Sequence, residues 1–431
     1  MRGINSAYGQ LPPAFFFSRL TKTVSDYAAD HPDRRLLRLG VGDVSGPLAP
    51  AVIEALHRAV DEQSRKESFH GYLPETGTDF MKAAVANYYR RRNVILSAKE
   101  IFISGGAADD LGAIGNLFAS NARVLVAEPA YPAYVDTNRM AGREILSLAG
   151  TRENGFLPLP EADTDADVVY LCSPNNPTGA AYTRAQLQRW VDWANACGAV
   201  IVFDAAYEAF VQDADVPHSI YELPGAEKCA VEICSLSKTA GFTGMRLGYT
   251  VVPETLVRDG CSLRDMWTQD RTTRTNGVSY VLQRAGEAAL SPAGVSHSRD
   301  AVAVYQENGR ILSEALMNAG VRFTGGRNAP YIWLPCPEGQ SGWSFFDYLL
   351  RTAQIVVTPG EGFGGGGEKH VRLSCFGSRE DTVEAAERLR RLFQKGMQRH
   401  SNNESEGSIV ICAESSDIPA RSRRRQSCWK G

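Results

Sequence analysis

The sequence predicts a two-lobed α/β protein: a large lobe with a mostly parallel central sheet sandwiched by helices, and a smaller α+β lobe. Three observations lead there. The chain has 431 residues, more than the roughly 250–300 at which a single core stops growing. From about Arg38 to Gly248, short Val- and Ile-rich runs alternate with helical periodicity, as in parallel sheets joined by helices. From about Pro292 the pattern changes to a long helix, a strand pair and a final helix.

In chain order the strands expected in the large lobe are "EIFIS" (100–104), "ARVLVAE" (122–128), "ADVVYLCS" (166–173), "GAVIVFDA" (198–205), "CAVEICSLS" (229–237) and "RLGYTVV" (246–252). Each is short and ends at Gly, Pro, Ser or Asp. Helical stretches such as "ADDLGAIGNLFAS" and "TRAQLQRWVDWANACG" lie between them, the second closing on a capping glycine. Ligands of such a sheet gather at the carboxyl ends of its strands. The smaller lobe follows with "AVAVYQENGRILSEALMNAG", the strands "YIWLPC" and "HVRLSCF", and the helix "REDTVEAAERLRRLFQKGMQ". The expected division is residues 1–39 as an N-terminal arm completing the small lobe, 40–290 as the large lobe, 291–398 as the small lobe and 399–431 as a disordered tail.

Composition narrows the function. Charged residues are 22% and the formal net charge is −3, so no basic field points to nucleic acid and the expected substrate is small. No apolar run reaches about 18 residues and the start lacks a secretory pattern, so no membrane role and a cytoplasmic location are expected. Nine cysteines are odd in number and none has metal-ligand spacing, so they read as buried thiols and no metal is expected.

The chemistry concentrates in "CSLSKTAGFTGMRLG" (234–248). A lysine that forms a Schiff base must be held in place and partly deprotonated, and Lys238 stands at a strand end beside Ser235, Ser237 and Arg246, donors suited to a phosphate. Pyridoxal phosphate has both an aldehyde and a phosphate, and residues elsewhere suit it. Asp204 ends an apolar strand, where a carboxylate can hold a pyridine nitrogen protonated, with Tyr207 three residues on. Asn176, in the turn "CSPNNPTGA", can donate to a phenolic oxygen. "ISGGAADDLGAI" opens a helix with small residues, so backbone N–H groups around Gly106, Ala107 and Ala108 can cradle phosphate. "EPAYPAYVD" offers Tyr131 or Tyr134 to lie against a heterocycle. Each motif alone reads as a turn, a cap or a surface lysine; their combination in this order does not.

With these residues the sequence resembles the fold-type-I, pyridoxal-phosphate-dependent aminotransferases over about residues 10–395. Within them it is similar to the LL-diaminopimelate aminotransferases, through "LGVGD" (39–43), "GYLPETG" (71–77), "PAYPAYVD" (129–136), "GGRNAPYIWL" (325–334) and "TPGEGFGGGGEKHVRLSCFG" (358–377). The resemblance implies that Lys238 carries the cofactor and moves the proton, that Asp204 pairs with the ring nitrogen, and that Asn176 and Tyr207 bond its phenolic oxygen. Tyr131 would stack on the ring. Gly106, Ala107, Ala108, Ser235, Ser237 and Arg246 would hold the phosphate, joined by Tyr72 from a second subunit. Arg372 would grip the substrate α-carboxylate, with Val41 and Gly42 lining the pocket. Glu75 and Asn276 would reach across a homodimer interface to the substrate's far end.

The implied reaction moves an amino group between L-glutamate and tetrahydrodipicolinate, giving LL-diaminopimelate, by a ping-pong cycle. Two positions depart from the pattern: Ala108 stands where these enzymes carry a lysine, and Phe15 where they carry a substrate-contacting tyrosine. Arg274, two residues before Asn276, is expected to supply the missing cation from a partner subunit. The alternative is an aminotransferase of the same fold with a shifted amino-acid substrate. A cofactor-binding transcriptional regulator is disfavoured, since a DNA-binding module is not found ahead of residue 40.

Overall fold

The computed structural model describes residues 3–11 and 15–402. Its main sheet has seven strands in the order Ile101–Ser104, Gly248–Val251, Ala230–Ser235, Val200–Asp204, Val168–Cys172, Arg123–Glu128, Glu144–Ala149. All pair in parallel except Gly248–Val251, which runs against both its neighbours. The central strands Val168–Cys172, Val200–Asp204 and Ala230–Ser235 are buried along their whole length, which is why they read as continuous apolar runs rather than alternating ones. Helices cover both faces, with Trp190 and Leu187 packed against one and Trp267, Leu111 and Ile114 against the other.

All six expected strands form. The seventh, Glu144–Ala149, was not expected; it is an edge strand with exposed and half-exposed side chains, so its apolar signal is weak, and only pairing with Arg123–Glu128 reveals it.

The parallel register decides where the site lies. Cys172 is opposite Asp204, and Asp204 is opposite Ile233. The turn after Cys172, the end of the Asp204 strand and the short helix Leu236–Thr239 therefore emerge side by side at one edge. The antiparallel strand adds a third piece: Gly248 is opposite both Ser104 and Ser235. A Cβ on Gly248 would lie 2.6 Å from the Cys234 carbonyl oxygen and 2.8 Å from Gly106 Cα, so only glycine lets these three segments meet.

A second sheet orders Thr324–Gly325, Tyr331–Pro335, His370–Ser374 and Thr358–Pro359, all antiparallel. The sequence suggested a strand pair here; the two further strands are only two residues long, too short to leave a periodicity. The segment Leu37–Arg38 pairs in parallel with Ile355–Val356, and Ser374 N–H donates to the Leu39 carbonyl. Val24, Tyr27 and Leu37 are buried in one cluster with Leu312, Phe345, Phe346 and Phe393. The long helix Pro292–Asn318 connects the large-lobe helix Tyr280–Leu290 to this cluster. The helix Arg379–Asn402 runs past the expected boundary at residue 399, and the rest of the expected tail, 403–431 with the basic cluster at 421–425, lies outside the described residues.

Candidate active site

A cavity of about 400 Å³ opens at the carboxyl edge of the main sheet, between the two sheets. It is lined by Lys238, Asp204, Asn176, Arg246 and Arg372 among others, so most of the residues singled out in the sequence converge on one volume. What each can do follows from its partners.

Lys238 sits in the one-turn helix Leu236–Thr239, whose start is capped by the Ser235 hydroxyl accepting from Ser237 N–H at 3.1 Å. Its Nζ donates to the Gly42 carbonyl. Burial pushes its pKa down to about 8; Asp43 opposes the shift, while Arg372 and Arg246 add to it. A lysine so placed is still mostly protonated near neutral pH but carries a far larger neutral fraction than a free lysine, the form a nucleophile or general base needs.

Asp204 is 5% exposed. Its Oδ2 accepts from the Tyr134 hydroxyl at 2.6 Å and its Oδ1 from Ala206 N–H at 3.0 Å. Burial raises its pKa, and those two hydrogen bonds work against the rise. Among the described residues no cationic side chain forms an ion pair with it. A buried carboxylate facing a cavity without a counter-charge is suited to a cationic ring nitrogen.

At the other side stand the groups suited to an anion. Arg246, held at φ +63°, donates from Nη1 to the Ser237 hydroxyl and the Thr243 carbonyl, both at 3.2 Å. The helix Ala107–Ile114 begins beside it. Its N-cap, Gly106, has φ +119°, and a Cβ there would come 2.8 Å from Arg246 Nη2; the backbone can approach the guanidinium because that Cβ is absent. Ala107 and Ala108 line the cavity, while Gly106 stands behind them.

Arg372 is 6% exposed and lies on the His370–Ser374 strand. Nη1 donates to Asn176 Oδ1 at 2.7 Å and Nη2 to the Gly40 carbonyl at 2.9 Å, while Nε is buried without a partner. The guanidinium packs over the rings of Tyr331 and Phe363. Fixed and with an unused donor, it can receive a carboxylate. Asn176 uses its oxygen on Arg372, which leaves its amide N–H groups to donate into the cavity. Tyr207 and Tyr331 share a hydroxyl–hydroxyl bond of 2.9 Å. Val41 and Gly42 also line the cavity.

The two tyrosines of "EPAYPAYVD" separate. Both border the cavity, but Tyr134 is buried and stacked on Tyr170 with its hydroxyl committed to Asp204, whereas Tyr131 is half-buried with its ring open to the cavity. Tyr131 is therefore the ring available to a ligand, and Tyr134 steadies the carboxylate. The sequence reading gave no role to Tyr331, Phe363 or Asp43, all of which line the cavity. All three belong to quoted motifs, but which way they point is set by the tertiary structure, for Tyr331 by the antiparallel register with the Arg372 strand.

Tyr72, expected at the phosphate, and Glu75, Arg274 and Asn276, expected at the substrate, do not line the cavity. Tyr72 is 91% exposed. The loop holding Asn276 packs against the one holding Glu75, since a Cβ on Gly277 would lie 3.0 Å from the Pro74 carbonyl oxygen and 3.3 Å from Glu75 Cα. Arg274 pairs with Asp270 at 2.7 Å. Phe15 is the first residue of the helix Phe15–Asp30, and its side chain lies outside what the structure describes.

An amine, a carboxylate awaiting a cation, an arginine–hydroxyl–helix anion cradle and a second arginine for a carboxylate are the requirements of a pyridoxal-phosphate enzyme acting on amino acids. Comparison with known proteins agrees: residues 34–389 match the family described as aminotransferase class I and II, and the chain belongs to that family. Members of this class use pyridoxal 5′-phosphate, and the residues around the cavity fit it.

More particularly, the chain is 47% identical over 402 residues to the LL-diaminopimelate aminotransferase of Lachnospira eligens, covering 90% of this chain and 99% of that protein. It is 44% identical to the enzyme of the same name from Bacteroides fragilis, over 90% and 98% of the two chains. Among solved structures, the L,L-diaminopimelate aminotransferase of Chlamydomonas reinhardtii superposes with a TM-score of 0.85 at 37% identity, covering 90% of this chain and 98% of that one. Among the described residues no helix is long and apolar enough to cross a membrane, and no cluster of side chains is suited to a metal ion.

Proposed function

We propose that this aminotransferase moves an amino group between L-glutamate and tetrahydrodipicolinate, forming LL-2,6-diaminopimelate and 2-oxoglutarate, and that it works in the cytoplasm as a homodimer with shared active sites. The observation that carries the substrate reading is identity of 44–48% with LL-diaminopimelate aminotransferases across 90% of the chain. The cavity supports it, because Lys238, Asp204, Asn176, Tyr207, Arg246 and Arg372 all border it. The shared site is supported by the exposed Tyr72 and by the adjacent Glu75 and Asn276 loops, none of which lines the chain's own cavity.

When bound, pyridoxal 5′-phosphate supplies an electron sink for negative charge developing at the substrate α-carbon. Ala107 and Ala108 N–H groups, Ser235, Ser237 and Arg246 would hold its phosphate, with Tyr72 of the other copy. Asp204, steadied by Tyr134, keeps the ring nitrogen protonated. Asn176 and Tyr207 would donate toward the phenolic oxygen, and Tyr131 would lie against the ring. Arg372 fixes the α-carboxylate, so the α-carbon is presented to Lys238. Lys238, whose burial lowers its pKa to about 8, would take the proton from that carbon and hold it for return. The rigid set of partners on Arg372 and Asp204 pre-arranges these groups before substrate arrives.

Stepwise titration of the purified, cofactor-loaded enzyme tests the reading. L-Glutamate and LL-diaminopimelate should each convert the visible absorbance of the bound cofactor to that of its amine form, with 2-oxoglutarate reversing it. A spectrum that responds to glutamate but not to LL-diaminopimelate rejects the substrate, and no response to either rejects the activity.

A further inference from the structure

A second cavity, of about 390 Å³, lies behind the catalytic lysine. It is enclosed between the helix Pro292–Asn318 and the large lobe, and its wall includes Thr239 and Ala240, the two residues that follow Lys238. Arg91, Arg92 and Arg299 line it together with His218.

The charges in it do not balance. Arg92 pairs with Glu208 at 2.7 Å. That carboxylate is buried, accepts the Tyr88 hydroxyl at 2.6 Å and has His218 Nδ1 at 3.4 Å, so its oxygens are already engaged. Arg91 reaches only the Leu290 carbonyl at 3.5 Å and the face of Tyr88. Among the described residues no carboxylate lies within ion-pair distance of Arg91 or Arg299. Arg91 and Arg299 are exposed and Arg92 is half-buried, but the three guanidinium groups come from two different parts of the fold to line one concave volume, where an anion can meet more than one of them at once through charge-assisted contacts.

We propose that this cavity binds a small polyanion carrying two or more negative charges, bridging Arg299 on the long helix to Arg91 and Arg92 on the large lobe. The volume accommodates a molecule the size of a di- or tricarboxylate or of a short phosphate chain. Its phosphate- or carboxylate-bearing end meets the arginines, and its body meets Val295, Val302 and Ala240. A ligand there rests on the segment that holds Lys238 without entering the catalytic cavity.

The test is calorimetric titration of the full-length, cofactor-loaded protein with citrate and, separately, with inorganic pyrophosphate, at constant ionic strength. Saturable binding of one anion per chain is expected, and which probe binds more tightly distinguishes carboxylate from phosphate recognition. The Arg91→Ala/Arg299→Ala double variant should weaken binding at least about tenfold, as expected for removing charge-assisted contacts, and Arg372→Lys should leave it unchanged. Should the double variant fold poorly by circular dichroism, Arg299→Gln alone carries the comparison. The proposal is overturned if neither probe saturates below about 10 mM, the weak end of small-ligand affinity. It is equally overturned if the arginine variants bind like the wild type, or if Arg372→Lys alone removes binding, which would assign the anion to the catalytic cavity.

Discussion

Replacing Arg372 by lysine keeps the charge and removes the fork. In the structure both terminal nitrogens are occupied, Nη1 by Asn176 Oδ1 at 2.7 Å and Nη2 by Gly40 O at 2.9 Å, and the buried Nε has no protein partner. A lysine ammonium can satisfy one or two of these acceptors, but it cannot also present a planar pair of donors to a carboxylate. One charged hydrogen bond to substrate is then lost, worth roughly 1.5–3 kcal/mol, which at about 1.4 kcal/mol per factor of ten lowers kcat/KM by roughly 10- to 150-fold. Since every amino acid has an α-carboxylate, the loss should be nearly equal for L-glutamate and LL-diaminopimelate in steady-state assays, with cofactor content unchanged. A drop below about threefold, smaller than any lost charged contact, would refute the assignment. So would a loss confined to one substrate, which would move Arg372 to the distal end.

Other expectations follow from the same geometry. Lys238 is protonated below its pKa of about 8 and neutral above it, so the rate at which cofactor-stripped protein recaptures pyridoxal 5′-phosphate should rise with pH and level off above about 8; a rise centred near the pKa of a free lysine would contradict the burial that lowers it. Tyr134→Phe removes the 2.6 Å donor to Asp204 and leaves a buried carboxylate less satisfied, at about 1–3 kcal/mol. Its cofactor should dissociate roughly 5- to 150-fold more readily by fluorescence titration, and unchanged retention would show that Asp204 does not depend on it. Gly42→Ala would set a methyl 2.6 Å from the Tyr331 hydroxyl oxygen, an overpacking of about 1–3 kcal/mol; kcat/KM should fall while the cofactor spectrum is retained, and wild-type kinetics would show that this loop yields freely.

The sequence carried the large lobe and most of the site because the chemistry sits at the ends of buried parallel strands. Such strands are apolar throughout, so a terminal Asp204 or a lysine just beyond Ser235 stands out against them. The edge strand Glu144–Ala149 and the two-residue strands at the two edges of the second sheet were not legible, since half-exposed or very short strands have little apolar pattern. The two tyrosines of "EPAYPAYVD" looked interchangeable in sequence, being three residues apart in one motif. Packing separates them: Tyr134, in the helix, is stacked on Tyr170 and bonded to Asp204, while Tyr131, just before it, leaves its ring open to the cavity both border.

What the sequence determined by itself is the cofactor chemistry, because an amine, a phosphate cradle and a pyridine-facing carboxylate need particular residue types, and those residues are present in order; amino transfer came from the resemblance to a family. The tertiary structure alone decided how they are held. Arg372 is aimed by Asn176 and Gly40, which stand 196 and 332 residues away in the chain, and Tyr331 reaches Tyr207 only through the second sheet. It also gathered Arg91, Arg92 and Arg299 around a cavity that no local motif announces, since each looks like an ordinary surface cation until the long helix closes over the large lobe. Contacts of that range are fixed by register and packing, which a local pattern does not encode.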